Sequence, residues 1–344
     1  MTDHRFFHSA GPFSLGEIAR HIGGELSQAT DASFMINDIA SLDAATDSDI
    51  SVFTGSPYAD AFHATRAGAV VTSHDLADKS AAGMRLIFVA QPRLAYAQIG
   101  HLLYPVAAIE PGIDPRAVID PGAIIGDGAR VESGAVIGAN AEIGARCHIG
   151  HNSVIGPGVV LGDDCAIDSN CSISHAIIGA GVRVASGVAI GSEGFGFVPG
   201  PKGLLRMQQL GRVIIQDRVE IGANSAIDRG ASGDTVIGAG SVLDNLVHIG
   251  HNVRLGRNCI LAGQVGIAGS TVLGDSVVIG GQTAIGDHIT IGSGARIAGK
   301  SGVIRNLEPG AEVAGYPAIP VRQWKRQSVT LSRLVAKSGR VIAP

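Results

Sequence analysis

The chain has 344 residues, with 49 glycines against 9 Phe, 4 Tyr and 1 Trp, and a formal net charge of -4. Its mean hydropathy of +0.28 would suit a membrane protein, but no apolar run approaches the roughly 18 residues that a spanning helix requires. The N-terminus lacks the basic start, apolar stretch and small-residue cleavage site of a secretory signal. Beyond Trp324, basic residues are not interleaved with aromatics as in nucleic-acid readers. The expectation is a cytoplasmic protein of two or three domains.

Residues 1–107 read as a small α/β domain. Ser14-Leu15-Gly16-Glu17 is a capping box that opens a short helix through Ile18 and Ile22, and Gly23-Gly24 stops it. Apolar runs over 50–53, 69–72 and 86–89 predict strands, and 92–103 predicts a helix with Pro92 at its start.

From Ile113 to Val303 the chain keeps a six-residue beat. Ile119, Ile125, Val131, Ile137, Ile143, Ile149, Ile155, Leu161 and Ile167 carry it first, and the run from Ile215 to Ile297 resumes it. The phase is lost only around 177, 192–212 and 232–235. A hexad is too short for a helix pair and suits a parallel β-helix of short strands and tight corners. The first and fifth positions of each hexad lie on one side of an extended strand, so both point inward. Ala123, Ala135, Ser153, Val159, Val219, Ser241, Val265 and Thr283 fill the fifth position, and so do Cys147, Cys165, Cys171 and Cys259. The cysteines therefore read as packing residues rather than disulfides or metal ligands. Gly, Asp, Asn and Pro crowd positions two to four, where corners need unusual backbone angles. Three hexads would close one coil of about 18 residues, stacked about 4.8 Å above the last. The β-helix spans 108–312.

Beyond Glu312 there is no acidic residue, while Arg322, Lys325, Arg326, Arg333, Lys337 and Arg340 are basic. Val321, Trp324, Leu331, Leu334 and Val335 fit one face of a helix over 320–337. A basic helical extension, 313–344, on an acidic body suits an acidic partner, and its apolar face suits a second copy of the chain.

A solenoid has little internal cavity, so chemistry belongs on outward corners or between subunits. Histidine, with an ordinary pKa near 6.5, suits proton transfer at neutral pH. The pentapeptide His-Ile-Gly-His-Asn occurs twice in the same phase, at 148–152 and 248–252. Seven residues before His251 stands Asp244, followed by Asn245, whereas seven before His151 stands Gly144. On this reading only the second copy has a carboxylate to orient the imidazole and stabilise its protonated form. Because seven extended residues reach up to about 23 Å, Asp244 and His251 should meet only between neighbouring chains. One coil beyond His251, Gly269 offers a backbone N–H to a developing oxyanion, where the first copy has Ser169.

Further residues carry a resemblance. Ser192-Glu193-Gly194-Phe195-Gly196-Phe197, Gly211-Arg212-Val213, Ile227-Asp228-Arg229-Gly230, Asp244-Asn245 and His251-Asn252 together resemble the UDP-3-O-acylglucosamine N-acyltransferases of lipid A biosynthesis. The likeness covers essentially the whole chain. It implies a mainly β fold, a left-handed parallel β-helix with a uridine-binding α/β domain before it and a C-terminal helix after it, assembled as a homotrimer. It also implies transfer of a 3-hydroxyacyl group from acyl carrier protein to the 2-amine of a UDP-3-O-acyl-glucosamine. His251 would be the general base, Asp244 its support and Gly269 the oxyanion donor. His288 and Asn245 would contact substrate, with Phe53 and Tyr58 toward the base. Arg322, Lys325, Arg326 and Arg333 would meet the acyl carrier protein. No metal or redox cofactor is implied, since the acyl donor travels on phosphopantetheine. The segment from Ile50 to Tyr58 keeps Tyr58 in register with the family's uridine motif, but Gly55 replaces its asparagine and Pro57 is displaced by one. Two rivals remain at this point: an O-acylating UDP-sugar enzyme, and a zinc carbonic anhydrase-like trimer with His248, His251 and His288 as ligands.

Overall fold

The computed structural model describes residues 2–3, 5–80, 83–106, 109–316 and 318–337. The chain divides into two compact units, residues 1–108 and 109–344. In the first, helix α1 (Leu15–Ile22) begins at a reciprocal cap: the Glu17 N–H donates to Ser14 Oγ at 3.3 Å and the Ser14 N–H donates to the Glu17 carboxylate at 2.8 Å. The helix closes on Gly23 at φ +64°, a left-handed turn that glycine adopts without steric cost. A five-stranded sheet runs in the order Glu25–Leu26, Leu86–Phe88, Ala69–Thr72, Asp49–Val52, Asp38–Ile39, parallel except for the first pair. Helix α2 spans Ala59–Ala64, and α3, opened by Pro92, spans Pro92–Leu103 and buries Ala95, Ile99 and Leu103. The strands expected near 50–53, 69–72 and 86–89 are present. The two-residue strands at Glu25–Leu26 and Asp38–Ile39 are too short to show an alternation, so nothing in the sequence announced them.

The second unit is a parallel β-solenoid. Its strands, mostly two residues long, stack into three sheets of nine, eleven and ten strands. In a regular stretch Ile143 pairs with Leu161, and side chains such as Arg146 and Asp164 meet at a sequence separation of 18. First and fifth hexad positions fill a continuous core from Val131 to Val303. The polar fifth-position side chains donate to corner carbonyls: Ser153 Oγ to Asp168 O at 2.6 Å, Ser241 Oγ to Gly256 O at 2.9 Å, Cys147 Sγ to Gly162 O at 3.1 Å. All four cysteines are buried and free. The fourth hexad position takes the left-handed backbone, and Asn140, Asn152, Asn170, Asn252 and Asn258 hold it at φ between 54° and 62°. Asparagine tolerates a conformation that costs most L-residues about 1–2 kcal/mol.

The three breaks in the beat are three irregular coils. Leu161 pairs with Ile178, one residue short of the regular step. Ile190 pairs with Ile227 across an excursion that contains the antiparallel hairpin Phe197–Gly200 and Gly203–Arg206. Ile227 pairs with Ile249 across a short insertion that includes Asp234. After the solenoid, helix α4 spans Val321–Lys337, with Val321, Trp324, Leu331 and Leu334 all more than half exposed. Arg340 lies outside the described residues. Among the described residues no helix is long and apolar enough to cross a membrane.

Candidate active site

The strand His248–Ile249 ends in the corner Gly250-His251-Asn252, placing His251 in a cleft of about 560 Å³ that Phe195, Asp228, His248, Gly269 and His288 also line. The imidazole is packed between two glycines. A methyl group on Gly194 would come within 2.6 Å of His251 Cβ, and one on Gly269 within 2.7 Å of Nε2. Neither glycine has a left-handed backbone, so what forbids a side chain there is the nearness of the imidazole. Among the described residues the Gly269 N–H has no acceptor, as an oxyanion donor at the cleft wall requires.

One contact sets the tautomer. Asn252 Oδ1 accepts the Ala231 N–H at 2.9 Å and lies 3.1 Å from His251 Nδ1. An amide oxygen cannot donate, so the neutral imidazole donates from Nδ1. That leaves the Nε2 lone pair bare on the edge facing Gly269, the form a general base needs.

The excursion is stitched over this corner by Arg229. Its Nε donates to Gln209 O at 2.8 Å, one terminal nitrogen donates to Gly191 O at 2.9 Å, and the other donates to Glu193 Oε1 at 2.9 Å. Arg206 holds the second Glu193 oxygen at 3.1 Å. Both ends of the excursion are thus tied to one largely buried guanidinium, which seats Gly194 against His251 and brings Phe195 to the cleft.

The structure corrects one expectation about the repeated pentapeptides. Each copy has a carboxylate in the coil beneath it: Glu132 lies 3.5 Å from His148 Nε2, and Asp228 lies 3.9 Å from His248 Nε2. The two are register equivalents, since Arg130 pairs with His148 and Ala226 with His248. Possession of a carboxylate therefore does not separate the copies. What separates them is compensation: Arg130 grips both Glu132 oxygens at 2.9–3.0 Å, which holds that carboxyl below its usual range, whereas burial pushes the Asp228 carboxyl up. Asp228 went unnoticed as a site residue in the sequence.

The other expected residues fall in several places. His288 lines the cleft at a corner with φ +56°. Asp244 lies in a separate groove of about 420 Å³ with Asp168, Arg183 and Glu220, at the corner on the other side of the strand His248–Ile249. Among the described residues it makes no contact with His251. Asn245 Oδ1 accepts the Ala223 N–H at 2.7 Å and so fastens a coil corner. In the first unit, Tyr58 lines a cleft of about 280 Å³ with Ser51, Thr54, Arg93 and Tyr96. Phe53 does not line it. Its ring is fully buried and stacked on Phe62 at 4.0 Å between centroids, so it is a core residue and not a surface for a base. Arg322, Lys325, Arg326 and Arg333 are exposed on α4. His248, His251 and His288 share the cleft, yet among the described residues no three His, Cys, Asp or Glu side chains converge to hold a metal ion within one chain.

A family model described as UDP-3-O-(3-hydroxymyristoyl) glucosamine N-acyltransferase matches residues 33–102, and a bacterial transferase hexapeptide model matches 129–163 and 234–269. A protein of Granulibacter bethesdensis named UDP-3-O-acylglucosamine N-acyltransferase is 51% identical over 337 residues, 98% of each chain. One of the same name from Parvibaculum lavamentivorans is 53% identical over 341 residues, 97% of each chain. Among solved structures, the UDP-N-acetylglucosamine acyltransferase of Bacteroides fragilis is 25% identical and aligns over 63% of this chain and 78% of its own, with a TM-score of 0.45.

Proposed function

The chain belongs to the UDP-3-O-acylglucosamine N-acyltransferase family, and from that premise we propose that His251 is the base that activates the acceptor amine. The bare Nε2 set by Asn252 carries the reading. As the 2-amine of the UDP-3-O-acyl-glucosamine attacks the thioester carbonyl, Nε2 takes its proton and a C–N bond forms. The carbonyl oxygen becomes an oxyanion beside the Gly269 N–H. When the tetrahedral carbon collapses, the C–S bond breaks and the imidazolium returns a proton to the pantetheine sulfur. The acyl donor is a 3-hydroxyacyl group on acyl carrier protein, and no metal or redox group takes part.

Several further assignments belong to the same reading. The enzyme acts in the cytoplasm as a homotrimer, in which Asp244 of one chain supports His251 of the next. Exposure of both the Asp244 groove and the apolar side chains of α4 in the single chain supports such an assembly. His288 contacts the nucleotide sugar, Tyr58 stacks on the base, and Asn245 contacts substrate through the amide nitrogen its coil bond leaves over. Arg322, Lys325, Arg326 and Arg333 form a basic surface for the acidic carrier protein.

The test is an assay of purified protein with a panel of acyl carrier thioesters and two acceptors. Amide formation on the UDP-3-O-acyl amino sugar is expected, with reversal of charge at Arg322, Lys325 and Arg326 raising KM for the carrier and leaving kcat in place. Acylation of only the 3-hydroxyl of a UDP-sugar would reassign the chain to the O-acylating enzymes, and stoichiometric zinc would reassign it to hydration chemistry.

A further inference from the structure

We propose that Asp228 is a positioning residue for the proton transfer, its buried carboxylate supporting the His248 and His251 pair from the coil beneath and stabilising the imidazolium that His251 becomes. This rests on the reading of His251 as the base. Asp228 is 7% exposed and lines the same cleft as both imidazoles. Among the described residues its carboxylate accepts no hydrogen bond from backbone or hydroxyl, so it serves no evident cap or corner.

The neighbours explain why its charge stays available. In the first pentapeptide the equivalent Glu132 is taken by Arg130, whose ladder partner is His148. In the second, the residue at that rung is Ala226, which can neutralise nothing. Arg229 is adjacent in sequence, but all three of its guanidinium nitrogens are spent on Gln209, Gly191 and Glu193. The ionisable groups around Asp228 are therefore His248 and His251 from the coil above, Arg229 just past the end of its own strand with Glu193 beyond it, and Asp287 and His288 farther along the cleft. Burial raises the carboxyl's proton affinity, and His248, His251 and Arg229 pull it back, in that order. A buried carboxylate with no cation hydrogen-bonded to it favours protonation of the imidazoles beside it, which is the change His251 undergoes when it accepts the amine proton.

The experiment is the pH dependence of kcat/KM for the full chain and four variants. For Asp228→Asn the acid limb should move to lower pH by about one unit, because a buried negative charge beside the imidazoles is removed, and kcat should fall about ten-fold. Asp228→Glu restores the charge and should return the limb toward its original position, and Glu132→Gln should leave the profile unchanged. Because the Asp228 carboxyl is raised in the fold, its contribution to stability is fullest below the ordinary carboxylate value and is lost as pH rises through the folded value. The Asn variant should accordingly unfold at a temperature no lower than the parent at neutral pH. An unshifted acid limb, or a shift matched by Glu132→Gln, overturns the role given to Asp228. Full turnover by His251→Ala would instead overturn the base itself, which separates the two failures.

Discussion

Two copies of His-Ile-Gly-His-Asn in one solenoid, identical in sequence and in hexad phase, end in different surroundings. At the first, His151 is exposed and its Nδ1 lies 3.0 Å from the Ser133 hydroxyl, which can donate or accept and so fixes no tautomer. At the second, His251 is half-buried between Gly194 and Gly269, and its tautomer is set by an oxygen already committed to the Ala231 N–H. The coil around the first copy is regular. The second stands just after two irregular coils, and these supply Gly194, Phe195, Arg229 and Ala231. A motif on a repeat scaffold thus takes its surroundings from where the repeat is broken.

The comparison can be broken most directly by truncating each imidazole. His251→Ala should lower kcat about 10³-fold, within the range for loss of a positioned base, while His151→Ala should keep parental turnover. Equal losses at both positions would contradict the distinction. A smaller effect should follow from crowding. Gly269→Ala would put a methyl group 2.7 Å from His251 Nε2 on an otherwise permissive backbone, and displacement of the imidazole should cost about 100-fold in kcat/KM. The equivalent Ser169→Ala should cost nothing. The smallest effect should come from Asn252→Ala, which frees the tautomer and leaves the Ala231 N–H without its acceptor. We expect about ten-fold in kcat, together with about 2 kcal/mol of stability by denaturant titration, from the lost acceptor and from alanine at a left-handed position. For Asn152→Ala turnover should be unaffected.

The regular parts of the molecule were legible because each local signal points the same way. Aliphatic first positions and small fifth positions gave the core, Gly, Asp, Asn and Pro at positions two to four gave the corners, and Ser14 with Glu17 gave the first helix. The three interruptions were visible as lost phase. Their consequences were not. Counting back one regular coil from His251 lands on Gly233, but the short insertion lengthens that step, so that Ser225 and Val247 meet at a separation of 22 and Asp228 comes to lie beneath the histidine pair. Counting in regular coils therefore passed over Asp228. Gly194 was seen only as part of a long loop, because its packing against His251 depends on the three bonds of Arg229. Phe53 was misplaced for a different reason: an aromatic residue at a strand end carries no sign of whether its ring faces a ligand or a second aromatic, and here Phe62 takes it.

The most direct measurement is the nitrogen chemical shift of ¹⁵N-labelled His251 in the intact protein, assigned by comparison with His251→Ala and followed through its titration. In the neutral form the Nδ1 signal should be that of a protonated nitrogen and the Nε2 signal that of a bare one. A proton resident on Nε2 would leave the acceptor amine without a base at this corner and contradict the account.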